Sequence, residues 1–279
     1  MKILIASAAA LLSALPPGAT PMGVEPELAV FPSRDGLDIT ADFYRSEPDR
    51  RTQDAPLIVL FHQAGWSRGE YREIAPKLCA MGYDCLAVDQ RSGGAVNDVV
   101  NETNARATKA GKGTTFVDAE QDVVAALEFA REELKAERVM AWGSSYSAAL
   151  VLRTVAKHPE LADACAAFAP GEYFERFGKS GDWIESSLGT LRRPAFVTSA
   201  GNEKENWERM YKAIPKGKKR SYLPTTAGQH GSRALWERFP DNGGYWKEIE
   251  AFLHEEFPAD VERARSKPTS RPSSRPTGR

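Results

Sequence analysis

The stretch Val139-Met140-Ala141-Trp142-Gly143-Ser144-Ser145-Tyr146-Ser147-Ala148 constrains the fold more than any other. It is an apolar run of strand length that ends in a knot of small residues. It reads as a β-strand, a tight turn and the start of a helix, with a serine at the apex. The reversal from strand to helix leaves little room for bulk, which accounts for the small residues around the apex. The pattern is Gly-x-Ser-x-Ser, with a serine where a second glycine is usual. A turn of this shape lifts a hydroxyl out of a parallel sheet, and Ser145 is read as a nucleophile.

Apolar runs of strand length occur at 57–62, 83–89, 138–142, 164–169, 195–199 and 220–223. Helical patterns occur at 69–81, 117–134, 146–158 and 203–214, with a last helix at 244–257. An antiparallel hairpin precedes them: 27–31, a turn at Arg34-Asp35-Gly36, then 37–44. An antiparallel entry followed by repeated strand–helix units predicts an α/β fold, a mostly parallel central sheet with helices on both faces. The runs at 57–61 and 139–142 lack polar alternation, as strands covered on both sides do. Two segments fit no such unit. Residues 97–113 read as a polar connection, and 170–191, with Phe174, Phe177 and Trp183, read as a small lid.

At 279 residues, the hydrophobic share of 42% suits a globular domain, assigned to 27–257. The net charge of −1 gives no bias towards nucleic acid or a membrane surface. Residues 261–279 carry six Lys/Arg and one Glu, and the Ser/Arg/Pro repetition of 266–279 predicts a disordered tail. At the other end, Lys2 and the apolar run from Ile3 to Leu15, broken by Pro16, Pro17 and Gly18, have the form of an export signal ending near residue 19. The run is shorter than the roughly 20 residues of a membrane span, so no stable membrane insertion is expected once the leader is removed. An exported location, periplasmic or secreted, follows. The three cysteines show no metal-ligand spacing: Cys85 and Cys165 read as buried small hydrophobes, and an oxidising compartment permits a Cys79–Cys85 bridge.

A serine nucleophile needs a base, and the base needs an orienting carboxylate. The chain has four histidines, His62, His158, His230 and His254. His158 closes a helix, His254 lies on the terminal helix, and His62 reads as a hydrogen bonder that orders its loop. His230 follows the last predicted strand, where parallel sheets place their sites, and is read as the base. The acid is expected after the preceding strand. Glu203 is the first carboxylate there, Glu205 its local competitor and Asp182 a distant one. An oxyanion hole needs two convergent N–H groups. Tyr146 supplies one at the start of its helix, and Gln63 or Ala64, in the small-residue loop after 57–62, supplies the other.

These pieces together resemble the α/β-hydrolase superfamily, close to its dienelactone-hydrolase-like and small serine esterase branches. The resemblance rests on Leu60-Phe61-His62-Gln63-Ala64-Gly65, Ala87-Val88-Asp89-Gln90-Arg91-Ser92-Gly93-Gly94, the elbow at Ser145, the acid loop at Glu203 and Gln229-His230-Gly231. The order Ser145, Glu203, His230 is that of the superfamily. In the family a His-Gly loop forms half of the oxyanion hole, and here Gln63 stands at the Gly position. The family's Asp-x-Arg segment, matched by Asp89-Gln90-Arg91, is structural.

The resemblance implies a small-molecule carboxylic ester or lactone as substrate, hydrolysed without metal or organic cofactor. The same apparatus serves a serine peptidase or amidase and cofactor-free haloperoxidase-like chemistry. A non-catalytic binding protein of this fold is the alternative of another class. A haloalkane dehalogenase would share the fold, but those enzymes use Asp at the elbow, and Ser145 argues against that reading. Trp66, Phe174, Phe177 and Trp183 are the candidate acyl-pocket residues.

Overall fold

The computed structural model describes residues 25–46, 55–217 and 219–259. The expected leader at 1–19 and the tail at 266–279 lie outside the described residues. An eight-stranded sheet runs through the molecule in the order β1-β2-β4-β3-β7-β8-β9-β10. β1 (Glu27–Pro32) and β2 (Asp38–Tyr44) form the antiparallel hairpin, and β2 pairs antiparallel with β4 (Asp84–Val88). From β4 onwards every pairing is parallel, through β3 (Leu57–Phe61), β7 (Val139–Ser144), β8 (Ala164–Phe168), β9 (Ala195–Thr198) and β10 (Lys219–Tyr222).

The unbroken apolar runs are explained by what covers the sheet. Successive side chains point to opposite faces, so Leu57, Val59 and Phe61 enter one core while Ile58 and Leu60 enter the other. The first core is closed by α3 (Glu120–Glu132), α4 (Tyr146–Lys157) and α5 (Lys204–Ala213), the second by α1 (Ile74–Ala80) and α6 (Asn242–Glu256). Both faces being dry, polar alternation has no place in the central strands.

The segment expected as a polar connection at 97–113 holds more structure than its composition announces. A two-stranded ribbon, β5 (Ala95–Val96) with β6 (Val99–Val100), leads into α2 (Glu102–Lys109). This helix buries only Thr103 and Ala107, so it carries no apolar stripe to read. Its signals are terminal: the Asn101 side chain caps the Asn104 N–H at 2.8 Å, Glu102 opens the first turn and Lys109 closes the last. The helix expected at 69–81 divides into a 3-10 turn, Arg68–Tyr71, and α1. Residues 170–191 contain two further 3-10 turns, Glu175–Phe177 and Glu185–Thr190. Cys79, Cys85 and Cys165 are buried free thiols, so the permitted Cys79–Cys85 bridge is not formed. Among the described residues no helix is long and apolar enough to cross a membrane.

Candidate active site

Four loops meet at the carboxyl edge of the parallel strands, after β3, β7, β9 and β10. Ser145 is the apex between β7 and α4, with φ +59° and ψ −122°, a region that costs a non-glycine residue about 1–3 kcal/mol. Its N–H is donated to Phe168 O at 2.7 Å, which ties the strained turn to β8. Gly143 must lack a side chain, because a Cβ there would collide with the Ser147 carbonyl and the Ala148 nitrogen of α4. Ser147, at the position where glycine is usual, is buried and useful: its hydroxyl donates to His62 O at 2.6 Å and receives Gln90 Nε2 at 2.6 Å.

The three residues expected to act together are adjacent. His230 Nε2 lies 2.8 Å from Ser145 Oγ, and His230 Nδ1 lies 2.5 Å from Glu203 Oε1. Glu203 Oε2 accepts the Ala200 N–H at 3.1 Å, so both of its oxygens are held. Glu205 is exposed on α5, and Asp182 is exposed in the segment at 170–191. Glu205 lines, with Glu172, Glu185 and Arg209, a polar cleft of about 330 Å³ that also includes Tyr173. Tyr173 donates its hydroxyl to Ala169 O at 2.9 Å, and burial followed by the charge of Glu203 pushes its own ionisation upward.

The two oxyanion candidates after β3 are in different states. The Gln63 N–H is donated to Glu70 Oε2 at 2.8 Å, whereas the Ala64 N–H has no acceptor among the described residues. Its direction is fixed through its own peptide unit. Gln63 O, on the opposite side of that trans peptide, is held by His62 Nδ1 at 2.8 Å and by the Trp66 N–H at 3.3 Å. The Tyr146 N–H, at the start of α4, belongs to the first helical turn and has no intrahelical acceptor.

His62 is therefore the loop-ordering hydrogen bonder expected. Its Nε2 accepts the Gln90 N–H at 3.1 Å and faces Asn101 Nδ2 at 3.1 Å, so the proton belongs on Nδ1 and the ring is neutral. Burial lowers its pKa from the ordinary 6.5 to about 4. Between those values the unfolded chain binds a proton that the folded chain does not, so His62's share of stability is complete above about 6.5 and is lost as pH falls towards 4. The stability difference between wild type and His62→Gln should shrink by about 3 kcal/mol from pH 7 to pH 4 in urea unfolding.

The aromatic residues expected at the pocket divide. Phe174 is fully buried in the first core with its ring edge-on to Trp183, at 4.8 Å between centroids, so it is a core residue with no surface for a ligand. Phe177 packs at 5.1 Å on Phe116, which in turn stacks at 4.4 Å on the ring of Tyr146. Trp66 is apart from them, stacked on Trp236 at 5.2 Å. Sequence reasoning missed Phe116, Tyr173 and Glu70. For Glu70 the only sequence signal was a carboxylate beside Tyr71, in a segment that patterned as an amphipathic helix.

Among solved structures, an esterase of Pyrococcus furiosus is similar with a TM-score of 0.62 and 18% identity, over 83% of this chain and 92% of its own. A dienelactone hydrolase from Anabaena variabilis gives 0.61 and 14%, over 83% and 99%. Thermogutta terrifontis esterase 2, in a structure phosphorylated by paraoxon, gives 0.61 and 20%, over 84% and 95%. No curated protein matches the sequence. Likeness at these identities carries the fold, which is that of the α/β-hydrolases. The model of the family described as serine aminopeptidase, S33 matches residues 52–219, more than half of the sequence, and the chain belongs to that family of α/β-hydrolases.

Proposed function

We propose that the protein is a serine hydrolase that cleaves a carboxylic ester or lactone through an acyl-enzyme on Ser145. The observation that carries this reading is the unbroken line from Glu203 through His230 to Ser145, at 2.5 and 2.8 Å, ending on a serine held at positive φ. Nε2 of His230 takes the Ser145 proton as Oγ bonds to the acyl carbon. Nδ1–H stays on Glu203, which steadies the imidazolium. The tetrahedral oxyanion is received by the N–H groups of Tyr146 and Ala64. Its collapse breaks the bond to the alkoxide, which leaves with the proton from Nε2. Water then attacks the acyl-enzyme with His230 again as base, releasing the acid and restoring Ser145.

The neighbouring Thermogutta esterase, phosphorylated by paraoxon and phosphonylated by cyclosarin, supports organophosphorus reagents as probes. A fluorophosphonate should place one adduct on Ser145, mapped by mass spectrometry, and His230→Ala should abolish it. A folded wild type that stays unlabelled refutes the mechanism. The name of the matching family favours one second reading, cleavage of an N-terminal amide. Parallel assays with p-nitrophenyl acetate and aminoacyl p-nitroanilides separate the two. The apolar run from Ile3 to Leu15 supports export, and with it a substrate met outside the cytoplasm.

A further inference from the structure

Behind the triad lies a second carboxylate that this mechanism does not use. Glu70, in the 3-10 turn Arg68–Tyr71, is fully buried. Its Oε2 receives the Gln63 N–H at 2.8 Å, and its Oε1 receives Ser144 Oγ at 2.7 Å and Gln63 Nε2 at 3.4 Å. Ser144 Oγ in turn accepts the Ser232 N–H at 2.9 Å, so its own proton is directed to Glu70. Two of the four site loops thus meet on one side chain, the oxyanion loop at Gln63 and the residue before the nucleophile, and Ser144 links a third, the loop two residues beyond His230. Between the last two, Gly231 has φ +72°, and a Cβ there would collide with Ser144 Oγ. The turn itself is anchored by Trp236 Nε1, which donates to Glu70 O at 2.9 Å.

Each contact on the carboxylate is a donor, so the arrangement requires an acceptor on both oxygens. Glu70 is nonetheless expensive to hold as an anion, since burial pushes its carboxyl up to about 7 against the opposing effect of those donors. A Gln in its place would offer one acceptor oxygen and an NH2 group that faces a donor. Hydrophobic filling would leave the Gln63 N–H free to turn.

We infer that Glu70 is a positioning residue that aligns the oxyanion hole with the nucleophile and the base, by holding the Gln63 N–H and the Ser144 hydroxyl at once. This rests on the hydrolase reading above. Clamping the Gln63 N–H fixes one peptide plane, and His62 on Gln63 O fixes the next, whose N–H is that of Ala64. A misaligned hole weakens binding of the transition state and leaves the ground state almost unaffected.

Glu70→Gln should therefore lower kcat on p-nitrophenyl acetate about 10- to 100-fold with KM changed less than about twofold. Its affinity for a trifluoromethyl ketone, which places an oxyanion in the hole, should fall by the same factor as kcat/KM. Hydrogen exchange at the Gln63 and Ser232 amides should accelerate at least ~10-fold. Ser144→Ala, which keeps the Glu70–Gln63 contact and cuts the link to Ser232, should show a smaller fall in kcat and faster exchange at Ser232 alone. It carries the test if Glu70→Gln does not fold. A folded Glu70→Gln with wild-type kcat and ketone affinity overturns the inference, as does Ser144→Ala with wild-type exchange at Ser232. If wild type is neither labelled at Ser145 nor active on the ester, the hydrolase reading has failed instead. The exchange rates then decide alone whether Glu70 holds these loops.

Discussion

Ser145→Ala and His230→Ala should each lower kcat/KM on p-nitrophenyl acetate by about 10⁶-fold, and the double variant should be no worse than either single one, as expected if the two act as a unit. Glu203→Gln should lose about 10⁴-fold, for a reason the hydrogen bonds supply. The Ala200 N–H needs an acceptor, so the amide oxygen of Gln takes the place of Oε2 and its NH2 group faces His230 Nδ1. The imidazole then carries its proton on Nε2, pointing at Ser145, and cannot accept one. Glu205→Gln, on the exposed side of α5, should change the rate less than about twofold. Circular dichroism and Tm should show all five variants folded. Wild-type activity in Ser145→Ala sinks the mechanism, and a larger loss in Glu205→Gln than in Glu203→Gln overturns the choice of acid.

These residues were legible because each is announced by its neighbours. The small-residue knot marks Ser145, a glycine turn after an apolar run marks Glu203, and the scarcity of histidine isolates His230. The strands β3 and β7 were legible for a similar reason, since a strand dry on both faces has an unbroken apolar sequence. What could not be read depends on partners far along the chain. Glu70 meets Ser144 across 74 residues, and nothing near either one announces the other. Gln63 and Ala64 were indistinguishable because the difference between them is the direction of two peptide planes, set by Glu70 and His62. The helix α2 was missed because it is held by caps and side-chain hydrogen bonds and has almost no apolar face.

The Asp89-Gln90-Arg91 segment was legible as structural, but its partners were not, and they set the second large expectation. Arg91 is buried and gives Asp122 its backbone N–H at 2.9 Å, its Nε at 3.0 Å and its Nη2 at 2.8 Å. The Ser33 hydroxyl donates to the same carboxylate at 2.7 Å. On its outer side Arg91 makes a two-pronged contact with Asp35, at 2.9 and 3.0 Å, and this holds the Asp35 carboxyl well below the usual range. The cluster fastens the β1–β2 turn to the end of β4 and to α3. Asp122→Ala removes the fully buried anion and leaves one N–H, one hydroxyl and part of a guanidinium without acceptors, an expected loss of about 3–5 kcal/mol in urea unfolding. By contrast, breaking the solvent-exposed pair Lys204–Glu208 should leave the urea midpoint essentially unchanged. Because desolvation offsets much of what a buried pair gains, Arg91→Met combined with Asp122→Leu should lose less than Asp122→Ala alone. The fault should also reach the site. Gln90, beside Arg91, gives its N–H to His62, and His62 fixes the Gln63–Ala64 peptide. Asp122→Ala assayed well below its own Tm should therefore lose kcat about 3- to 10-fold, more than KM changes. A loss below about 1 kcal/mol would mean that Asp35 alone satisfies Arg91 and that the cluster does not hold the loop.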